Sequence, residues 1–381
     1  MELKLFVIAT FVISAVAGWL TIPKIILISK KKKLFDELSE RKSHHGNVPR
    51  LGGVAFFPSF LFSLMLTLGI RYYYGFDINV PPIETAAFRE MFFLVAGATL
   101  LFFIGMMDDL NGLSYKAKFV AQIFVAVLLI LGGVGIGNLG GLFGLYHIPA
   151  VIGDILTILV VVLLINAYNL IDGIDGLCSG LALLALGALG GWFCWTHLYI
   201  YGMMAMGIAG VVSVFFFYNV LGQRMKIFMG DTGSLMLGYL IAFFGLKFYN
   251  LNINTDMFNI EAAPAVLLGI VFIPAFDTLR VFCVRIASGL SPFYPDRRHI
   301  HHKMLRLGLT HFQSAMVIII LQTGFILLNV LLKNVNINLL FALDLALGIL
   351  VIWLLDTLGV HLDKGRRQTA RQDEEKPARQ A

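Results

Sequence analysis

Long apolar runs recur along this sequence, and they constrain its fold more than any other feature. About eleven runs of roughly 17–25 residues are each long enough to cross the hydrocarbon core of a bilayer as a helix. Strands of a membrane barrel would instead give alternating segments of about ten residues. The sequence therefore predicts an all-α, polytopic integral membrane protein with spans near 5–28, 51–70, 91–107, 118–136, 152–171, 177–196, 198–220, 232–249, 262–286, 313–333 and 337–359.

The composition excludes the main soluble classes. Of the 381 residues, 58% are hydrophobic and only 14% are charged, whereas a soluble domain is usually about a quarter charged. So few charges cannot cover a water-facing surface, which rules out soluble dinucleotide-binding enzymes, disordered scaffolds and secreted disulfide-rich domains. The three cysteines lie far apart without a CxxC pattern, so neither a disulfide framework nor a zinc centre is predicted.

The placement of lysine and arginine predicts the orientation. Most of the 29 basic residues lie in the loops after spans 1, 3, 7 and 9 and in the C-terminal tail. Because such loops stay in the cytoplasm, we expect the N-terminus outside and the C-terminus in the cytoplasm. Topology then explains the net charge of +6, and no nucleic-acid partner is predicted. Residues 362–381 are polar and without periodicity, which predicts a disordered cytoplasmic tail after one transmembrane domain at 1–361.

Two acidic segments lie at predicted cytoplasmic ends of spans. Asp108 and Asp109 directly follow the third apolar run, where adjacent carboxylates are costly unless a divalent cation or a cationic substrate lies between them; a solvated loop start is the alternative. Further along, four polar residues recur at every third position and share one helix face, namely Asn166, Asn169, Asp172 and Asp175. A merely solvated inner loop should be basic, so we interpret the second segment as functional.

The segment from Phe228 to Ser234 opens the eighth span with small and hydroxyl-bearing residues. Free N–H groups at such a helix start favour an anion. Asp231, among them, suits either a metal bound to a phosphate or a helix cap.

The largest predicted cytoplasmic loop carries a basic cluster that suits phosphate binding, with contact to lipid headgroups as the alternative; its candidates are Arg298, His299, His301 and His302. Zinc is disfavoured there, because the acidic groups elsewhere prefer a hard, oxygen-binding ion. Arg50, in the first inner loop at 41–53, is a further candidate, with membrane anchoring as the alternative. Asp277 is predicted either to pair with Arg280 or to belong to the site, and Asp344 to form an interhelical hydrogen bond.

These residues supply acidic metal ligands and cationic phosphate binders at one membrane face. That inventory predicts phosphoryl transfer, in which catalysis is mostly positioning and neutralisation of charge by Mg²⁺. The membrane setting implies that one substrate is a lipid phosphate.

In their order along the chain, the motifs resemble those of the polyprenyl-phosphate N-acetylhexosamine-1-phosphate transferases (glycosyltransferase family 4). The resemblance covers roughly residues 1–360 and rests on Asp108-Asp109, the Asn166–Asp175 run, Met-Gly-Asp-Thr-Gly-Ser at 229–234 and His-Ile-His-His at 299–302. It implies that undecaprenyl phosphate attacks the β-phosphate of a UDP-N-acetylhexosamine, giving undecaprenyl-diphospho-sugar and UMP. It also implies the bacterial inner membrane, a cytoplasmic site, a role in starting cell-envelope polysaccharides and, as in some relatives, a homodimer.

The same resemblance implies roles for single residues. Asp231 and Asn169 match positions that coordinate Mg²⁺, with Mn²⁺ as the alternative ion, and Phe228 matches an aromatic residue that stacks on uracil. Asp172 and Asp175 match acids that line the nucleotide site, and Asn166 is a further candidate.

Three further residues match positions that act on the lipid phosphate. Lys118 matches a phosphate-binding lysine, and Asp108 and Asp109 match a pair that engages or deprotonates the lipid phosphate. The lipid phosphate then attacks either directly, which we favour, or after one of the two carboxylates has taken the sugar phosphate covalently.

The His-Ile-His-His loop implies the N-acetylglucosamine branch of the family, because the muramoyl-pentapeptide branch typically carries three consecutive histidines and Ile300 interrupts them here. The predicted donor is therefore UDP-N-acetylglucosamine, with another UDP-N-acetylhexosamine or UDP-MurNAc-pentapeptide as alternatives. More remote alternatives are an intramembrane prenyltransferase, which would not explain the 229–234 segment, and a lipid transporter, which would place its charges near the midplane.

Overall fold

The computed structural model describes residues 2–34, 48–75, 82–253, 260–291 and 298–378. Over these ranges the chain forms α-helices and short 3-10 turns without a β-strand. Within the described residues, ten helices are long and apolar enough to cross a membrane, which confirms an all-α, multi-pass membrane protein. The helices are α1 Glu2–Lys32, α2 Phe56–Tyr73, α3 Pro82–Asn111, α4 Tyr115–Gly132, α5 Ala150–Ile171, α6 Leu177–Trp195, α7 Tyr199–Leu221, α8 Gly230–Ile253, α9 Ala263–Ile270, α10 Phe272–Ala287, α11 Ile300–Arg306, α12 His311–Leu331 and α13 Ile337–Ala378.

The ninth predicted span is broken. α9 and α10 meet at an angle of 81°, and counting the pair as one span raises the number of spans to eleven. The side chain of Gln322 in α12 donates to the carbonyls of Gly269 and Ile270 at 2.7 and 2.9 Å and accepts from the N–H of Ile273 at 2.9 Å. Non-helical backbone inside a membrane is tolerated where other protein groups satisfy it, so Gln322 makes this break possible. The hydropathy of 262–286 does not show the break, although Pro274 in this run has no N–H to donate to the carbonyl of Ile270 in a continuous helix.

Helix α8 lies at the centre of the bundle and is almost entirely buried. It packs antiparallel to α3, and buried polar contacts join the two helices near both ends. At one end Asp109 of α3 accepts hydrogen bonds from Thr232 of α8. At the other, Lys247 of α8 forms a 2.7 Å ion pair with Glu90, which also accepts from Tyr201 at 2.8 Å. We call the end of the bundle that holds Asp109 the site face.

Helix α13 continues to Ala378. The backbone of 362–378 is therefore helical where the sequence predicted no regular structure; its separation from the transmembrane domain stays a prediction, as do the orientation of the termini and the homodimer. The predicted interhelical role of Asp344 is confirmed, since Asn329 of α12 donates to its carboxylate at 2.9 Å.

Candidate active site

The start of α8 is organised by a carboxylate from another helix. Asp109, near the end of α3, accepts from the backbone N–H of Asp231 at 2.7 Å and of Thr232 at 2.9 Å, and from the Thr232 hydroxyl at 2.6 Å. Gly230 enters the helix at a φ of +74°, which suits glycine. Asp109 thus supplies the negative charge that a helix N-terminus favours, and Asp231 is left to face the site.

Lys118 links two of the predicted acids. Its ammonium lies 3.0 Å from Asp108 and 2.9 Å from Asp231, so one cation bridges α3 and α8. Asp108 also accepts from the backbone N–H of Leu113 at 2.6 Å. Lys118 stands on the first turn of α4, whose N-cap is Ser114. The structure therefore brings Asp108, Lys118 and Asp231 together, and the roles that the resemblance implies for them stay predictions.

The end of α5 contributes the polar run. Asn169 donates to the Ser234 hydroxyl at 2.9 Å and lies close enough to Asp231 to interact with it. Asp172 follows just outside the helix. Burial raises the pKa of Asp172 well above its usual value, and the neighbouring charge of Asp231 raises it further while Arg50 opposes the shift. A bound cation would favour the ionised form of this buried carboxyl group.

Asp175 belongs to a second part of the same loop. Its carboxylate accepts from Lys226 at 2.7 Å, and His311 lies 3.6 Å away. The Lys226 ammonium also lies 5.8 Å from the centre of the Phe228 ring. Sequence reasoning missed Lys226, because it was counted among the cations that set the topology.

The first loop docks onto the start of α8 through its backbone. The N–H of Phe228 donates to the carbonyl of Pro49 at 2.8 Å, and the N–H groups of Gly52 and Gly53 donate to the carbonyls of Phe228 and Met229 at 2.9 and 2.8 Å. This pairing brings Arg50 into the surroundings of Asp172. The remainder of the predicted first-loop cluster, residues 41–47, lies outside the described residues.

The histidine loop is built around Asp277 of α10. The Asp277 carboxylate accepts from Nδ1 of His299 at 2.9 Å and from the guanidinium of Arg280 at 2.7 Å, so its pairing with Arg280 is confirmed. The rings of His299 and His301 lie parallel with centroids 5.8 Å apart. Burial, followed by the neighbouring histidines, lowers the pKa of His301 to about 3, so this imidazole is neutral.

The other two candidates of the histidine loop are His302 and Arg298. The His302 ring packs 4.2 Å from that of His301. The Arg298 side chain donates to the Ser288 hydroxyl at 3.3 Å, and its carbonyl accepts from Arg280 at 2.6 Å. Ile300, which interrupts the histidines, is 3% exposed and packs into the core. Pro295, Asp296 and Arg297 lie outside the described residues.

A cleft with a volume of about 160 Å³ opens beside Lys118. Asn166 belongs to its wall and donates to Gln122 at 2.6 Å. Arg285 of α10 also lies on the wall, 3.5 Å from Nε2 of His299. Its lining residues include the polar or charged side chains of Lys118, Gln122, Asn166, Asn169 and Arg285 and the largely apolar side chains of Tyr115, Phe119, Leu170, Leu235 and Phe282. Sequence reasoning missed Arg285, although a cation inside an apolar run is itself a signal of function.

The donors at this site suit a hard divalent ion only in part. Among the described residues, no three His, Cys, Asp or Glu side chains converge as a metal centre. Mg²⁺, however, is usually held by one or two carboxylates together with substrate phosphates. The Asp231 carboxylate and the Asn169 side chain would provide such a partial set, next to the buried Asp172, whose pKa is raised by burial and then by Asp231.

Fold and site together define a multi-pass helical membrane protein with an acidic site at one end of its bundle. The family model described as glycosyl transferase family 4 matches residues 91–249, which include most of the site. The chain is also similar to the undecaprenyl-phosphate alpha-N-acetylglucosaminyl 1-phosphate transferases of Salmonella typhi and Escherichia coli K12, each at 32% identity over 76% of this chain and 74% of the relative.

A relative from Bacillus subtilis, named a probable undecaprenyl-phosphate N-acetylglucosaminyl 1-phosphate transferase, is 30% identical over 88% of this chain and 87% of its own length. The chain belongs to glycosyl transferase family 4. The resemblance found in its motifs is therefore confirmed.

Proposed function

We propose that this protein transfers N-acetylglucosamine 1-phosphate from UDP-N-acetylglucosamine to undecaprenyl phosphate at the cytoplasmic side of a bacterial inner membrane. The observation that carries the proposal is the Lys118 bridge between Asp108 and Asp231, in a chain whose relatives bear the name of that reaction. The cleft beside Lys118 is lined by both polar and apolar side chains, which suits a phosphate attached to a lipid chain.

In the proposed reaction an oxygen of undecaprenyl phosphate attacks the β-phosphorus of UDP-N-acetylglucosamine. The bond from that phosphorus to the oxygen bridging the two phosphates breaks, and this oxygen leaves with UMP. Lys118 binds and orients the negatively charged phosphates. Mg²⁺, held by Asp231 and Asn169, would neutralise charge on the diphosphate.

Direct attack fits the hydrogen bonds of the two adjacent acids better than a covalent step on Asp109. Both Asp109 oxygens already accept hydrogen bonds from α8, so we assign Asp109 to positioning. Asp108 faces Lys118 and is the acid that we place next to the lipid phosphate. Trapping of a phosphosugar adduct on Asp108 in the absence of lipid acceptor would overturn direct attack.

The nucleotide part of the donor is assigned to the second part of the site. Phe228 offers a ring for uracil, with Lys226 above it and bonded to Asp175. The neutral His301 and its neighbours approach from α11. Ile300, which interrupts the histidines, supports the N-acetylglucosamine branch over one with a consecutive histidine triplet.

The experiment is turnover of the purified protein in detergent with undecaprenyl phosphate, Mg²⁺ and a panel of UDP-sugars, followed by release of UMP. UMP formed only with UDP-N-acetylglucosamine, lipid and metal together would support the whole proposal. UMP formed with UDP-N-acetylgalactosamine or UDP-MurNAc-pentapeptide would keep the reaction and change the donor. No UMP with any donor from folded protein would overturn it in favour of a prenyltransferase or a transporter.

A further inference from the structure

The carboxylate of Asp277 is buried and surrounded by hydrogen-bond donors. It is 2% exposed, and it accepts from Nδ1 of His299 at 2.9 Å, from the N–H of Ile300 at 3.2 Å and from Arg280 at 2.7 Å. Arg280 in turn holds the carbonyl of Arg298 at 2.6 Å. Two side chains of α10 thus hold three consecutive residues at the start of α11, because Asp277 binds His299 and Ile300 directly and Arg298 through Arg280.

This arrangement also fixes the histidine side chains. Because the Asp277 carboxylate accepts from Nδ1 of His299, that nitrogen carries a hydrogen and Nε2 is turned towards Arg285, 3.5 Å away. Arg285 belongs to the wall of the cleft that also holds Lys118. Asp277, which is not among the residues that line the cleft, therefore sets the orientation of the His299 ring.

The neighbouring histidine docks onto the acidic loop. The His301 ring lies so close to Gly173 that a Cβ at that position would come within 2.4 Å of its Nε2. Gly173 follows Asp172 directly. Because the rings of His299 and His301 are parallel at 5.8 Å, a displaced His299 would move its neighbour away from the loop of Asp172 and Asp175.

We propose that Asp277 is a positioning residue that orients His299 and thereby holds His301 against the Asp172–Asp175 loop. It acts through hydrogen bonds to the histidine loop and does not touch the substrate. An asparagine at 277 would turn an N–H₂ group towards a pocket of donors, so the loop would lose its anchor while the volume stays the same. The kinetic part of the test rests on the proposed function; the labelling part does not.

The labelling test compares the wild type with Asp277→Asn in detergent. Diethyl pyrocarbonate modifies accessible imidazoles, and mass spectrometry gives the rate at each histidine. We expect the rates at His299 and His301 to rise at least about fivefold through local opening, while the exposed His147 keeps its rate. Unchanged rates at both histidines would overturn the proposal. If Asp277→Asn does not purify as a folded protein, Asp277→Glu retains the charge but moves the carboxylate by one bond length, and it should give a smaller increase of the same kind.

The kinetic test separates positioning from general stability. We expect Asp277→Asn to raise the KM for UDP-N-acetylglucosamine more than it lowers kcat, with a loss of about tenfold in kcat/KM, and to cause little further loss in a His299→Ala background, since residues that act through one another are not additive. Independent, additive losses would overturn the proposal. Asp344→Asn, which changes another buried carboxylate of the bundle, is the matched control and should leave labelling and kinetics unchanged. If the wild type releases no UMP, the proposed function fails, and the labelling comparison still decides the role of Asp277.

Discussion

Asp109 and Thr232 are joined by two hydrogen bonds, from the backbone N–H at 2.9 Å and from the hydroxyl at 2.6 Å, across the interface of α3 and α8. The same carboxylate accepts from the N–H of Asp231. A residue that looks like half of a catalytic pair in the sequence therefore caps the central helix. The position of Asp231 depends on it.

Asp109→Asn should reduce both stability and turnover. The amide would present N–H donors to the N–H groups of α8, so we expect the protein to lose about 1–3 kcal/mol of stability. Thermal unfolding in detergent measures the loss, and UMP release measures turnover. Asp108→Asn is the comparison, since it should lose turnover with a smaller change in melting temperature. Equal stability of Asp109→Asn and the wild type would contradict the capping role.

Asp231→Asn should abolish turnover without preventing insertion. Loss of this carboxylate removes a proposed metal ligand and one partner of Lys118, so we expect UMP release to fall more than about 100-fold, beyond the effect of an outer-shell residue. The measurement is UMP release as a function of Mg²⁺ concentration. Asp154→Asn, at the exposed opposite end of α5, should behave like the wild type. Normal turnover of Asp231→Asn would remove this residue from the metal site.

Lys118→Met should weaken the site for the lipid substrate. The change leaves Asp108 and Asp231 without their shared cation and removes a phosphate-binding charge. We expect the KM for undecaprenyl phosphate to rise about tenfold or more, and more than the KM for UDP-N-acetylglucosamine. Steady-state kinetics with each substrate varied in turn measure the difference. Lys116→Met, two residues earlier on α4, is the control, and equal effects of the two substitutions would contradict a specific role for Lys118.

Gln322→Leu should destabilise the break between α9 and α10. The substitution leaves two carbonyls and one N–H of the broken span without their partner, and each unsatisfied buried group costs about 1–3 kcal/mol. We expect a clear drop in melting temperature in detergent. Thr323→Ala, which loses only a hydroxyl bond within α12, should unfold close to the wild type. If Gln322→Leu is as stable as that control, the hydrogen bonds of Gln322 are not needed to stabilise the break between α9 and α10.

The buried pair of Glu90 and Lys247 should behave as a unit. Lys247→Met alone leaves a buried carboxylate without its cation and should cost about 3–5 kcal/mol. The double variant Glu90→Met/Lys247→Met replaces both charges by apolar groups and should recover most of that loss. Thermal unfolding of the two single variants and the double variant measures the coupling. If the double variant loses as much stability as the two single variants together, Glu90 and Lys247 do not act as a coupled pair.

The sequence predicted the class of fold because span length is set by the thickness of a bilayer. The same reasoning could not predict the break at Val271, since its backbone groups are satisfied by Gln322, about fifty residues later in the chain. Length and hydropathy report how much of a segment is apolar, and they do not report where it bends.

For the site, the sequence predicted a set of candidate residues. The structure decided which of them face the site and which support other parts of the fold. Asp108 and Asp231 were expected on one face because each stands at the end of a span, and Lys118 was expected from the family resemblance; the Lys118 ammonium lies 3.0 Å from Asp108 and 2.9 Å from Asp231. Adjacent positions such as Asp108 and Asp109, however, point about 100° apart on a helix. Which of the two faces the site depends on the neighbouring helix.

What the sequence alone determined is therefore the membrane fold, the family and the inventory of acidic and basic groups, because these follow from local composition and from short motifs. Only the tertiary structure decided that Asp109 caps α8, that Asp277 anchors the histidine loop, and that Lys226 and Arg285 belong beside the predicted residues. The reason is physical: the partner of a buried carboxylate is chosen by packing between helices, which brings together side chains more than a hundred residues apart in the chain.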